Sequence, residues 1–143
     1  MNRILDIDKT LKDILETSIQ KYSNNKAFSI INGESLTFQE VGKRIEKFTS
    51  LLNSYRIAAG EKIALFGGSM PNWPVAYLGV TSSSRVVLPL LPDFTAYEVA
   101  NILEHSGTEI MIVSKKLFYK LSEKIKERLK LIIELDSLCN KGG

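Results

Sequence analysis

The stretch Ile63–Trp73, IALFGGSMPNW, runs an apolar segment into two adjacent glycines and on into a helix start. Glycines at such a junction let the backbone approach a phosphate, and the helix behind them offers free N–H groups to an anion. Spacing decides against that chemistry here. A dinucleotide turn needs glycines in the order G-x-G-x-x-G, and a triphosphate loop needs a lysine and a hydroxyl residue after its second glycine. Gly67 and Gly68 are followed by Ser69, Met70 and Pro71, with no lysine behind them. Pro71 has no N–H to donate, and Trp73 crowds the approach. The glycines read as turning the chain.

The other chemistry-bearing residues are scattered. His105 is the only histidine, and no serine or cysteine with an orienting carboxylate lies at a spacing that would make it a base. It reads as a cation favoured at a helix C-terminus. Ser106-Gly107-Thr108 reads as a helix cap, because no lysine accompanies the glycine. Cys139, the only cysteine, permits no internal disulfide and reads as inert. One histidine, one cysteine and dispersed acids give no metal-ligand pattern. Seven basic residues between Lys115 and Lys130, interrupted by Glu123 and Glu127, read as a solvated helix face. The same pattern suits weak contact with an anionic membrane surface or a polyphosphate, and that alternative stays open.

The elements that would position these residues are legible. Thr10 with Asp13, Thr37 with Glu40 and Thr95 with Glu98 each place a hydroxyl three residues before an acid, the capping-box signature. Apolar stripes at helical spacing follow: Leu11, Ile14, Leu15, Ile19, Tyr22; then Phe38, Val41, Ile45, Phe48, Leu52, Tyr55; then Val99, Ile102, Leu103. A further helix is expected over about 115–129. Asn32-Gly33 predicts a hairpin between AFSII and ESLTF. KIALF, RVVLPL, EIMIV and LKLIIEL are apolar on both faces and separated by helices, which predicts parallel strands covered on both sides. The fold class is therefore α/β: an N-terminal helix and β-hairpin, then a mostly parallel β-α-β sheet with helices on both faces and right-handed crossovers.

With 143 residues and a formal net charge of +3, the chain suits one domain and carries no clustered basic footprint for nucleic acid. Acids within MNRILDIDK argue against a signal peptide, and VVLPLLP is far short of a bilayer span. A cytoplasmic protein is expected. Because the sequence stops at CNKGG just after a strand, residues 1–143 are expected to form a single partial domain with core 10–135, a flexible tail over 136–143 and an uncovered sheet edge. Such an edge invites a homodimer or strand exchange.

Taken in order, LTFQEVGKRIEKFTSLLNSYRIAAGEKIALFGGSMPNWPVAYLGV resembles the opening of the adenylate-forming (AMP-binding) superfamily. Leu36–Val41 corresponds to the family's Leu-Thr-Tyr-x-Glu-Leu helix start, Gly60–Ala64 to its Gly-Asp-x-Val-Ala strand, and Pro71-Asn72-Trp73 to its turn into a helix. The following LPLLPDFTAYEVANILEHSGTEIMIVSKKLFYKL is similar to long-chain acyl-CoA synthetases, and the resemblance covers residues 10–135. One departure is Ser82-Ser83-Ser84-Arg85, where the family has small residues and glycine; a positive φ there would cost about 1 kcal/mol. The resemblance implies an enzyme that uses ATP and Mg²⁺ to make an acyl-adenylate and CoA to make a thioester, with a fatty acid as substrate. The family's Ser/Thr/Gly-rich loop with its lysine and its Tyr-Gly-x-Thr-Glu segment have no match here, so no catalytic, cofactor-binding or metal-binding residue is assigned. The chain is expected to serve as scaffold for the remainder of the large domain and a C-terminal domain, inactive and binding no cofactor by itself. The alternatives are a stand-alone interaction or dimerisation module, or the start of another acid-adenylating enzyme.

Overall fold

Three hydroxyl–acid pairs start three helices as their spacing predicts. In the computed structural model, which describes residues 8–138, Thr10, Thr37 and Thr95 are N-caps with extended backbone ahead of α1 (Leu11–Lys21), α2 (Phe38–Ser54) and α4 (Ala96–Ser106). In each pair the threonine hydroxyl accepts from the backbone N–H three residues on. The acid returns the favour at the threonine N–H, at 2.9 Å for Asp13 and 2.7 Å for Glu40 and Glu98. Two otherwise orphaned donors are thus satisfied at each helix start. At the far end of α4, Gly107 takes φ +67°, and the Gly107 and Thr108 N–H groups return to Glu104 and Leu103 carbonyls. That pattern is the Schellman closure expected of a capping glycine.

The hairpin forms from β1 (Lys26–Ser29) and β2 (Ser35–Thr37), paired antiparallel. Asn32 supplies the positive φ at the turn, and the Gly33 N–H closes on the Ile30 carbonyl at 3.0 Å. The remaining strands are β3 (Lys62–Phe66), β4 (Val86–Leu90), β5 (Ile110–Val113) and β6 (Leu131–Glu134). They build one parallel sheet in the order β4-β3-β5-β6. Period-two alternation sends Ile63 and Leu65 to one face and Ala64 and Phe66 to the other. The first face packs on α2 and on α3 (Asn72–Ser82) through Phe48, Leu52, Ala76 and Val80. The second packs on α4 and the segment before β6 through Val99, Leu103, Leu117, Leu121 and Ile125. Both faces of the central strands β3 and β5 are buried, which explains why they read as continuous apolar runs, whereas β4, at the side of the sheet, keeps Val86 and Pro89 exposed.

Four places differ from, or sharpen, the sequence reading. The helix expected over about 115–129 is two short ones, α5 (Lys115–Phe118) and α6 (Glu123–Arg128). Ser122 interrupts it: its hydroxyl accepts from the Ile125 N–H and starts a new helix. The apolar spacing survives the break because both pieces pack on the same sheet face. In α1, whose stripe predicts an inward face, no residue is buried, and Leu11 and Ile14 stay about half exposed. Packing continues beyond residue 135: Leu138 is buried in the core and the Asp136 carboxylate accepts from the Lys115 N–H at 2.8 Å.

The fourth is the Ser82–Arg85 turn. Ser84 does adopt positive φ, +61°, and its carbonyl accepts from the Gly60 N–H at 2.8 Å. Arg85 is buried, and its guanidinium donates to the Ile57 carbonyl at 2.6 and 3.1 Å and to Asn53 Oδ1 at 2.8 Å. The last turn of α2 holds no basic residue of its own. Arg85 brings a cation to that helix end, at Asn53, from 32 residues away in sequence, where the dipole favours one.

Candidate functional site

Ligands of open α/β sheets sit beyond the carboxyl ends of the strands, where neighbouring strands send their connections in opposite directions. In this sheet β3 leads outward to β4 while β5 leads the other way to β6, so that point lies between β3 and β5. It is filled by the chain itself. The Ser114 N–H donates to the Phe66 carbonyl at 3.0 Å, and the Ser114 hydroxyl caps α5. Leu135 reaches under Gly67, where a Cβ would overlap its Cδ2. Gly67 and Gly68 both lie outside the positive-φ region. Gly67 therefore owes its identity to a close approach rather than to a left-handed turn, and Gly68, whose Cβ would meet nothing within 4 Å, is under neither constraint.

Asn72, buried at the start of α3, ties this turn down. Its amide donates to the Leu135 carbonyl at 3.0 Å and the Asp136 carbonyl at 3.3 Å, and its Oδ1 accepts from Arg44 at 2.7 Å. Arg44 also pairs with Glu34 beside the hairpin. One network thus links α2, the hairpin, the β3–α3 turn and the end of β6. Sequence reasoning placed Asn72 in a family motif but gave it no role; an asparagine directly after a proline inside an apolar stretch is the signal that was available.

Beside the filled point, an open groove of about 910 Å³ runs between β1, the β3–α3 turn and the end of β4. Phe28, Gly67, Met70, Trp73 and Leu91 line it, and so do Pro71, Pro74, Pro89 and Pro92, which are all four prolines of the sequence. None of the lining residues is ionisable. Proline lacks a backbone donor, the Trp73 backbone N–H is given to the Met70 carbonyl at 2.9 Å, and Ser29 and Ser69 add hydroxyls to the lining. The wall is uncharged and mostly apolar: it offers no carboxylate to hold a magnesium ion and no lysine or arginine to neutralise a triphosphate, so the residues present do not fit either group.

The structure does not bring the remaining candidates to this groove. Ser106 and Gly107 line a second, more polar hollow of about 540 Å³ with Lys62 and Lys130, at the amino ends of the strands. His105 is exposed in the last turn of α4, next to them in sequence. In that hollow Lys62 Nζ donates to the Ser106 carbonyl at 2.8 Å, and Lys130 pairs with Glu109, whose carboxylate holds the ammonium above its ordinary pKa. Several of the basic residues between 115 and 130 are likewise engaged within the chain: Lys115 with Glu134, Lys120 with the Pro92 carbonyl, Lys126 with Glu123 and the Phe118 ring, and Arg128 with the Leu103 carbonyl. Cys139 lies outside the described residues. Among the described residues no group of three or more His, Cys, Asp or Glu could hold a metal ion, and no helix is long and apolar enough to cross a membrane.

The fold is an α/β unit: a parallel sheet wrapped by helices, preceded by a helix and a hairpin, with an uncharged groove beside the β3–α3 turn. Residues 15–142 match the AMP-binding enzyme family, and the chain belongs to it. It is 26% identical over 116 residues to the long-chain-fatty-acid–CoA ligase of Escherichia coli O6:H1, covering 80% of this chain and 20% of that protein. It is 23% identical over 105 residues to surfactin synthase subunit 2 of Bacillus subtilis, covering 73% of this chain and 3% of that protein. The solved coronafacic acid ligase of Pectobacterium brasiliense shares the fold at a TM-score of 0.82 and 24% identity, covering 87% of this chain and 25% of that one. The chain spans about a fifth of the length of the fatty-acid ligase it matches.

Proposed function

We propose that this chain is the N-terminal part of a long-chain fatty-acid–CoA ligase. In the whole enzyme the fatty-acid carboxylate would attack the α-phosphorus of ATP and release pyrophosphate, with Mg²⁺ assisting. The CoA thiol would then displace AMP to give the thioester. The observation that carries the reading is the similarity to the E. coli ligase across 80% of this chain. Within it, residues 8–138 act as scaffold, against which the remainder of the large domain and the C-terminal domain pack. The uncharged groove supports that role, since phosphoryl transfer depends on charge-stabilising groups. The reading puts the enzyme in the cytoplasm, where ATP and CoA are available.

Similarity to a surfactin synthase subunit favours a second reading, in which the same scaffold opens an enzyme that adenylates another acid. Adenylation assays on the longer enzyme with a series of acids separate the two. A preference for long-chain fatty acids is expected, and a preference for aryl or amino acids overturns the fatty-acid reading. The purified 143-residue chain is expected to exchange no pyrophosphate into ATP; thioester formation by it overturns the scaffold reading.

A further inference from the structure

We propose that the chain docks on an anionic lipid bilayer through the outer surface of the helical layer made by α4, α5 and α6. This goes beyond the ligase reading and does not rest on it. Seven basic residues against two acids give residues 115–130 a formal charge of +5, while the whole chain carries +3. The other residues therefore sum to −2, and the positive charge is concentrated in this segment. Its helices and α4 pack on the same face of the sheet. They are also tied to each other. Lys120 Nζ donates to the Pro92 carbonyl at 3.0 Å, just ahead of α4, and the Arg128 guanidinium donates to the Leu103 carbonyl at 3.0 Å near its end. Both acceptors are neutral, so both cations keep their charge.

Burial separates the two sides of this layer. Leu117, Leu121, Ile125 and Leu129 are buried against the sheet. Lys116, Tyr119, Lys120 and Lys124 are exposed, and Lys116 and Lys124 pair with no described residue. Exposed apolar side chains lie among these cations. Tyr119, Tyr97 and Leu91 are 83%, 75% and 63% exposed, more than any other large apolar side chain of the described residues except Ile31 in the hairpin. Tyr119 adjoins Lys120 and Leu91 adjoins Pro92, so the Lys120–Pro92 bond holds those two stretches together. Tyr97 follows in the first turn of α4. The acids nearby in sequence are Asp93, Glu98 and Glu123; Glu98 is engaged in capping α4 and Glu123 pairs with Lys126. Tyrosine suits the headgroup layer of a bilayer, with its ring in apolar surroundings and its hydroxyl wet. Lysine stems cover apolar surface while their ammonium groups stay with the phosphates, and each lysine near an anionic leaflet adds attraction. Lysine is depleted where proteins bury surface against one another. This face is therefore composed for a charged surface rather than for burial against protein.

The 143-residue chain is expected to float with vesicles of about three parts phosphatidylcholine to one part phosphatidylglycerol, and not with vesicles of phosphatidylcholine alone. Salt at about 0.5 M is expected to release it. Lys116→Gln combined with Lys124→Gln removes two unpaired charges and is expected to weaken binding at least about tenfold. Lys43→Gln combined with Lys47→Gln removes the same charge from exposed positions of α2, across the sheet. That control is expected to stay within about threefold of the unsubstituted chain. Tyr119→Ser is expected to weaken binding with the net charge unchanged. No binding to the anionic vesicles, equal binding to both lipids, or equal losses from the two lysine pairs would each overturn the proposal. So would a Tyr119→Ser variant that floats as the unsubstituted chain does, or a preference for polyuridylate over the vesicles.

Discussion

Ser84 and Arg85 are two adjacent departures with opposite energetic signs. A side chain held at φ +61° carries a steric cost of about 1 kcal/mol, and a glycine at that position is free of it. Ser84→Gly is therefore expected to stabilise the chain by about 1 kcal/mol, read as a higher urea midpoint at unchanged slope. Arg85→Met acts the other way. It leaves the Ile57 carbonyl without its charged donor in a buried setting, at a cost of about 2–3 kcal/mol. The glycine turn gives a second contrast. Gly67→Ala forces Leu135 to shift and is expected to cost about 1–3 kcal/mol, whereas Gly68→Ala meets open space and stays within about 0.5 kcal/mol of wild type. Sequence alone treats the two glycines alike, because the partner that separates them lies 67 or more residues away at Leu135.

Elements were legible wherever the signal was local. The three capping boxes, the closing Gly107 and the Asn32 turn each need only a few neighbouring residues. The break at Ser122 escaped because residue 125, three positions on, is isoleucine rather than an acid, and because the apolar spacing runs on through it. The strand order was not legible for a different reason: four strands apolar on both faces carry nothing that names their neighbours. The capping acids also set a pH response. Hydrogen bonds from Thr37 to Glu40, and from Thr95 to Glu98, hold both carboxylates below their ordinary pKa, and the Thr10 hydroxyl and N–H do the same for Asp13. Stability that comes from a depressed pKa is complete above the unfolded-chain value, about 4.3 for glutamate and 3.9 for aspartate, and is lost as pH falls through the lower folded value. Glu40→Gln keeps an acceptor but cannot titrate. Its urea midpoint is expected to lie below that of wild type near pH 7, and the gap to close as pH falls from about 4 to about 2.

At the scale of the molecule the groove and its neighbouring network are tertiary products. The groove exists only because the hairpin is brought over the β3–α3 turn, and Arg44 braces it by reaching Glu34, 10 residues away, and Asn72, 28 residues away. No sequence window contains that arrangement. The four prolines were visible; their convergence on one wall was not. The same view makes β6 indispensable to the core beneath α2 and α3, since Ile133, Leu135 and Leu138 all belong to it. Removing residues 131–143 deletes these three buried side chains. At about 2–5 kcal/mol for truncating each large apolar group, that loss rivals the 5–15 kcal/mol of a typical domain. The shortened chain is expected to show no cooperative urea transition by circular dichroism.

Leu135 beneath Gly67 also bears on how the protein is born. A ribosome delivers the glycine turn long before the leucine that fills the space under it, and Asn72 must wait as long for the carbonyls it ties. The nascent polypeptide therefore passes through a stage in which β3 and α3 are synthesised while the seam between them is open.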